Sequence, residues 1–245
     1  PLGLAWRLER RTITWWAIGL GLLGMSMGAF AERAVPGEMP EALLQVLGGA
    51  EDIVAGYMSY LGVFMATIVA IYAVLAMQGL RAEETAGRGE PVLATAVSRW
   101  SWLGANLAVG AIGVTIIMAA AGAATGLGAA SAMGDNTLIW DVTAAHLNQI
   151  PAVLVVLGFA GLLFGLVPKA TSAAWALVAY GFIVGTFGAL MNLPDAAVSL
   201  SPFQHAANMP LEEFEIVPVT ALAAVAVVLA VAGLVSFRRR GINVT

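Results

Sequence analysis

Apolar runs without a single charged side chain alternate with short, charge-bearing connections along the whole chain. Six runs stand out, at 12–31, 53–80, 100–134, 142–168, 170–194 and 216–237. A bilayer core of about 30 Å and a helical rise of about 1.5 Å per residue require about twenty apolar residues per crossing. Each run therefore predicts one transmembrane helix. The third is too long for one straight crossing, and its second half is rich in Gly and Ala. It is expected to continue past the lipid as exposed or protein-packed backbone. Ahead of the first run, residues 1–11 put Leu4 and Leu8 on one face and Arg7, Arg10 and Arg11 elsewhere, which predicts a short helix lying along the membrane interface.

The connections give the orientation. When alternate connections are assigned to opposite sides, ten of the eleven Lys and Arg fall on one side, with only Arg33 on the other. Positive charge marks the cytoplasmic face. Both termini are thus predicted cytoplasmic, and the chain reads as an all-α, polytopic, six-helix protein of the plasma membrane. Eleven of the fifteen acids lie on the outer side. Trp15, Trp16, Trp100, Trp102, Trp140 and Trp175 fall near run ends, where amphipathic rings prefer the interface.

Composition agrees with this picture. Hydrophobic residues make up 60% of the 245 positions and charged ones only 11%, which excludes a water-soluble globule. A net charge of -4 leaves no basic footprint for nucleic acid. With no Cys and two His there is no thiolate or clustered-imidazole metal site. An Arg-rich start, an apolar run and Ala29-Phe30-Ala31 imitate a cleavable signal, but the run exceeds a typical signal core and five more spans follow.

Candidate chemistry is sparse. No Asp, Glu, Lys or Arg lies in any of the six runs, which argues against proton- or sodium-coupled transport. His146 is the titratable exception, and near Asp141 it reads as an interfacial hydrogen-bonding side chain. Gly24-Met25-Ser26-Met27-Gly28 has the nucleophile-elbow spacing but lies in an apolar helix without the strand and turn that motif needs. The pairs Gly24 with Gly28, Gly122 with Gly126, Gly161 with Gly165 and Gly181 with Gly185 have the spacing of close helix contacts, although 28 glycines would give nearly as many such pairs by chance. The one lysine, Lys169, follows Pro168, so no phosphate-binding loop exists to hold a nucleotide.

The segment 81–99, R-A-E-E-T-A-G-R-G-E-P-V-L-A-T-A-V-S-R, is the most informative connection. Acids and arginines precede Pro91, Val92, Leu93 and Val97, and Ser98 can cap the third span. Such a hairpin suits docking against another protein, and equally a solvated link with anchoring arginines.

The run from Glu83 to Trp102 resembles the cytoplasmic loop of ABC-transporter permeases of the drug-export class, and Leu200 to His205 with the closing F-R-R-R is similar too. More narrowly, the whole chain resembles the actinobacterial tetronasin-type multidrug exporter permeases. Those carry two consecutive six-span halves, and the opening P-L-G-L-A-W-R-L-E-R-R resembles the start of the second, a reading under which the chain lacks an initiating Met. The resemblance implies a single permease domain over residues 1–245. It places Glu83, Glu84, Gly87, Arg88, Glu90 and Arg99 at or beside a coupling helix that contacts a cytoplasmic ATPase subunit. It further implies that 195–215, with Pro202, Phe203 and His205, folds back at the outer surface. ATP and Mg would be held by two copies of that partner, and no cofactor by this chain. A second six-span unit would complete a pathway for hydrophobic or amphipathic small molecules such as antibiotics. Gln78, Asn106 and Asn192 are its candidate polar lining. A scaffold that transports nothing is the alternative, and a membrane-embedded enzyme lacks the converging carboxylates or ligands it needs.

Overall fold

The computed structural model describes residues 1–34, 53–85, 98–188 and 190–239. Eight α-helices are described: α1 (Leu2–Ala29), α2 (Ile53–Thr85), α3 (Arg99–Met133), α4 (Thr137–Asn148), α5 (Ile150–Leu166), α6 (Ala174–Phe187), the single turn α7 (Asp195–Val198) and α8 (Ile216–Arg239). No strand occurs among the described residues. Six helical stretches are long and apolar enough to cross a membrane, α4 and α5 together forming the fourth and α6 with the preceding turn Pro168–Ala173 the fifth.

Residues 1–11 do not form a separate helix. They are the first three turns of α1, which runs unbroken for 28 residues. Nothing in the sequence stops it: between Leu4 and Ile18 there is neither Gly nor Pro, and the Thr14 hydroxyl donates to the Arg10 carbonyl at 2.8 Å across the supposed boundary. The third run is likewise helical to its end. At 35 residues α3 extends about 52 Å. It starts at a Ser98 cap, whose hydroxyl accepts from the Ser101 N–H at 3.1 Å. It stops at Gly134, whose φ of 73° lets the chain turn left-handed and return its N–H to the Ala130 carbonyl at 2.9 Å. Its Gly-rich half is protein-packed rather than unravelled. The fourth span is broken where the sequence looked continuous: Pro151, in the first turn of α5, lacks the N–H that would have continued α4 through Gln149.

Close approaches fix the relative directions. Gly24 meets Thr125 and Gly28 meets Thr125 and Ala129, so α1 and α3 run parallel. The Tyr57 hydroxyl donates to the Met27 carbonyl at 2.9 Å while Tyr72 faces Trp16, so α2 runs against α1. Gly110 packs on Leu157 and Gly161 on Leu107, which makes α3 and α5 antiparallel; Gly158 meets Ala226 and Gly165 meets Gly233, which makes α5 and α8 parallel. Gly185 lies against Val63 while the Phe182 ring lies beside Phe64, so α6 runs against α2. The six spans therefore alternate in direction. Arg7, Arg10, Arg11, Arg81, Arg99, Lys169, Arg238 and Arg239 all belong to one end of the bundle. α2 sits at the centre, with Met65, Ala66, Val69, Ala70, Ala73 and Val74 inaccessible to solvent.

Three seams are backbone against backbone; in one, a Cβ on Gly126 of α3 would lie 2.9 Å from the Ile139 carbonyl oxygen of α4. A Cβ on Gly28 would collide with the Thr125 carbonyl, and one on Gly128 with the Met25 carbonyl. Between α5 and α8, a Cβ on Gly158 would lie 2.7 Å from the Ala226 carbonyl oxygen and one on Gly233 2.7 Å from that of Gly161. Where lipid removes the hydrophobic drive between helices, such approaches give the dispersion contacts that hold them. All four glycine pairs of regular spacing lie at tight contacts, joined by Gly113, Gly128, Gly158 and Gly233, which spacing alone did not single out.

Candidate functional site

At the basic end, α2 delivers Glu83 and Glu84 in its last turn and α3 begins with Arg99. All three side chains are half-buried. Gly87, Arg88 and Glu90 lie outside the described residues. One turn inside Arg99, Trp102 enters an aromatic cluster with Phe164 from α5 and Phe237 from α8. Ring centroids are 5.5 Å apart for Phe164–Phe237, 5.7 Å for Trp102–Phe237 and 6.3 Å for Trp102–Phe164. Trp102 is thus a buried core ring at this end, not the interfacial anchor its place in the run suggested. The cluster ties three spans together directly beneath the point where the 81–99 connection joins α3.

The candidate pathway residues do not converge. Gln78 is half-buried near the basic end of α2. Asn106, also toward that end, spends its amide on its own helix, donating to the Trp102 carbonyl at 2.8 Å. Asn192 belongs to the opposite end, exposed, with a φ of 46°, beside a shallow recess it shares with Val184, Gly188 and Gln204. Side-chain amides can adopt this left-handed backbone more readily than branched residues.

Opposite the basic end, residues 190–215 turn back over the bundle. The Phe203 ring is fully buried against Gly181, and Pro202 is buried with it. His205 is exposed, its Nε2 donating to the Ser199 carbonyl at 2.7 Å. Three side chains of the spans hold the segment down. The Ser59 hydroxyl donates to the Asn208 carbonyl at 2.6 Å, the Asn148 amide to that of Ala207 at 2.9 Å, and the Tyr180 hydroxyl to that of Ala197 at 2.5 Å. Ser59 and Asn148 were not singled out by sequence; a lone polar residue near a span end carries no mark of its partner.

His146 is a hydrogen-bonding side chain, as expected, and it lies fully buried in α4. Its Nδ1 donates to the Val142 carbonyl at 2.8 Å, and its ring packs on Gly122 of α3. Asp135 is the clear electrostatic feature of the connection before α4. Its carboxylate accepts from the Thr137 N–H at 2.9 Å and hydroxyl at 2.8 Å, which holds its pKa below the usual carboxylate value.

Alternating apolar spans, one end rich in arginine and the other closed by a folded-back segment define a polytopic α-helical membrane domain. Residues 1–238 match the family model described as multidrug efflux system permease Rv1217c, C-terminal domain, and the chain belongs to that family. It is 30% identical over 248 aligned positions to the multidrug efflux system permease protein Rv1217c of Mycobacterium tuberculosis (strain ATCC 25618 / H37Rv). That alignment covers 99% of this chain and 45% of the relative. The chain thus spans a little under half the length of the relative it matches.

Proposed function

We propose that this chain is a membrane-spanning part of an ATP-driven exporter of the ABC class. It moves hydrophobic or amphipathic small molecules, antibiotics among them, out of the cell across the plasma membrane, with both termini cytoplasmic. The observation that carries the reading is the match of residues 1–238 to the C-terminal domain of a multidrug efflux permease. A second six-span unit completes the pathway, and a pair of cytoplasmic ATPase subunits holds ATP and Mg.

The coupling segment is 81–99, with Glu83, Glu84, Gly87, Arg88, Glu90 and Arg99 at or beside the contact with the ATPase. The packing above it supports this assignment. A force applied to the connection reaches α2 through its last turn and α3 through Arg99, and the ring of Trp102 passes it to Phe164 and Phe237. ATP-driven closure of the partner pulls on this end, and the spans rock as packed units so that the pathway opens outward. Without formal charges in the six apolar runs, substrate recognition rests on shape and on Met and aromatic contacts.

The test is co-purification in mild detergent followed by an ATP hydrolysis assay. An ATPase subunit accompanies the wild-type chain, and the double change Glu84→Ala with Arg88→Ala lowers drug-stimulated hydrolysis and efflux by about tenfold, within the usual range of coupling free energies. Retention of full coupling in that variant removes the docking assignment, and unchanged drug accumulation in cells lacking the subunit removes the export reading.

A further inference from the structure

Between the first half of α1 and the middle of α3 lies an open groove of about 460 Å³ whose walls include Trp6, Ile13, Ala17, Ile18 and Ile116. The groove narrows toward the glycine seam, where Gly21 approaches Ala120 and Ala124. Its polar groups are Arg10 and Thr14. The Thr14 hydroxyl hydrogen is committed to the Arg10 carbonyl, which leaves that oxygen's lone pairs as acceptors. Arg10 is exposed, and no carboxylate among the described residues pairs with it. Arg7 and Arg11 lie on the same turns.

We propose that this groove is a binding site for one acyl chain of an anionic phospholipid, with the lipid phosphate held by Arg10. Three observations select that occupant. The apolar walls belong to a membrane-spanning helix pair, so hydrocarbon is the solvent they meet. The charged wall residue is Arg10, between Trp6 toward the basic end and the apolar walls Ile13, Ala17 and Ile18 beyond it, so a phosphate on Arg10 would leave its acyl chain along those walls. From Arg10 to Ile18 the groove runs about 12 Å along α1, the length of roughly half an acyl chain. A guanidinium offers several N–H donors to phosphate oxygens, and Trp6 supplies an interfacial ring beside it. The site goes beyond the transport reading and holds whichever side of the membrane the basic end faces.

Native mass spectrometry of the full chain, released from mixed micelles holding equal amounts of phosphatidylglycerol and phosphatidylcholine, tests it. The wild type retains one phosphatidylglycerol in preference to phosphatidylcholine by about fivefold, the factor one arginine contributes near an anionic surface. Arg10→Gln brings the ratio to parity, while Arg238→Gln, on the same end but away from the groove, leaves it unchanged. Ala120→Leu, which fills the groove from the α3 side without touching charge, lowers retention of both lipids. Equal retention of the two lipids by the wild type overturns the proposal. So does an equal effect of Arg238→Gln, which would mean general surface attraction, or full retention in Ala120→Leu, which would mean that lipid binds elsewhere. None of these readouts depends on an ATPase partner or on drug efflux, so failure here and failure of the export reading are distinguishable.

Discussion

Gly28 and Gly128 mark where side chains are forbidden. Each would place a Cβ into a carbonyl oxygen of the facing helix, and a backbone carbonyl cannot swing aside as a side chain can. Gly28→Val is expected to loosen α1 from α3 at a cost of about 1–3 kcal/mol, the usual scale of overpacking. Gly19→Val, with open space around the added atoms, should cost far less. Thermal unfolding of the purified pair of variants separates the two. A comparable loss at both positions would show that helix propensity, not the seam, is being measured.

Asp135 makes a pH-dependent claim on the same scale. Its pKa is depressed in the folded chain because the charged form accepts two hydrogen bonds from Thr137. The stabilisation is therefore present above the ordinary carboxylate pKa and is lost as pH falls through the lower folded value. Hydrogen exchange at Thr137, corrected for its intrinsic pH dependence, should accelerate only below the normal carboxylate range. In Asp135→Ala it should be fast throughout.

Among the elements, the segment 190–215 is retained by few and separable bonds. Removing the Ser59 and Asn148 side-chain donors together, as Ser59→Ala with Asn148→Ala, should release about 2 kcal/mol of anchoring, at about 1 kcal/mol per net hydrogen bond. Limited proteolysis between Ser199 and Glu215 should accelerate while the spans stay protected. Unchanged cleavage would assign the hold to Phe203 in its socket against Gly181 instead.

Element existence was legible in the sequence because lipid imposes a simple length rule: each charge-free run became a span. Boundaries were less so. The run starting at Thr12 hid the true start at Leu2, since arginines at the head of a helix do not end it. The break at Gln149 followed from Pro151, whose effect on a run depends on how the freed backbone groups are satisfied by neighbours. The aromatic cluster and the anchors Ser59 and Asn148 were not legible at all. Each depends on residues more than fifty positions apart that meet only after the bundle has formed.

For the molecule as a whole, the alternating directions put eight basic side chains of the described residues at one end. A positive-inside orientation turns that asymmetry into a topology. A reporter fused after Thr245 is expected to be active in the cytoplasm, and one inserted in the Asp195–Val198 turn outside. A reporter after Thr245 found outside the cell would reverse the assignment of every connection, the 81–99 segment included.

The glycine seams also divide the molecule mechanically. Between α1 and α3, and between α5 and α8, main chain rests on main chain, so parting either pair forfeits its dispersion contacts all at once. Between α3 and α5 the meeting surfaces are the ends of Leu107 and Leu157 and the rings around Trp102, groups that can exchange one rotamer for another while staying in touch. The bundle thus keeps a compliant face between α3 and α5 along the line from Trp102 to Leu157, while the far half of α3 is tied main chain to main chain to α4 through Gly126.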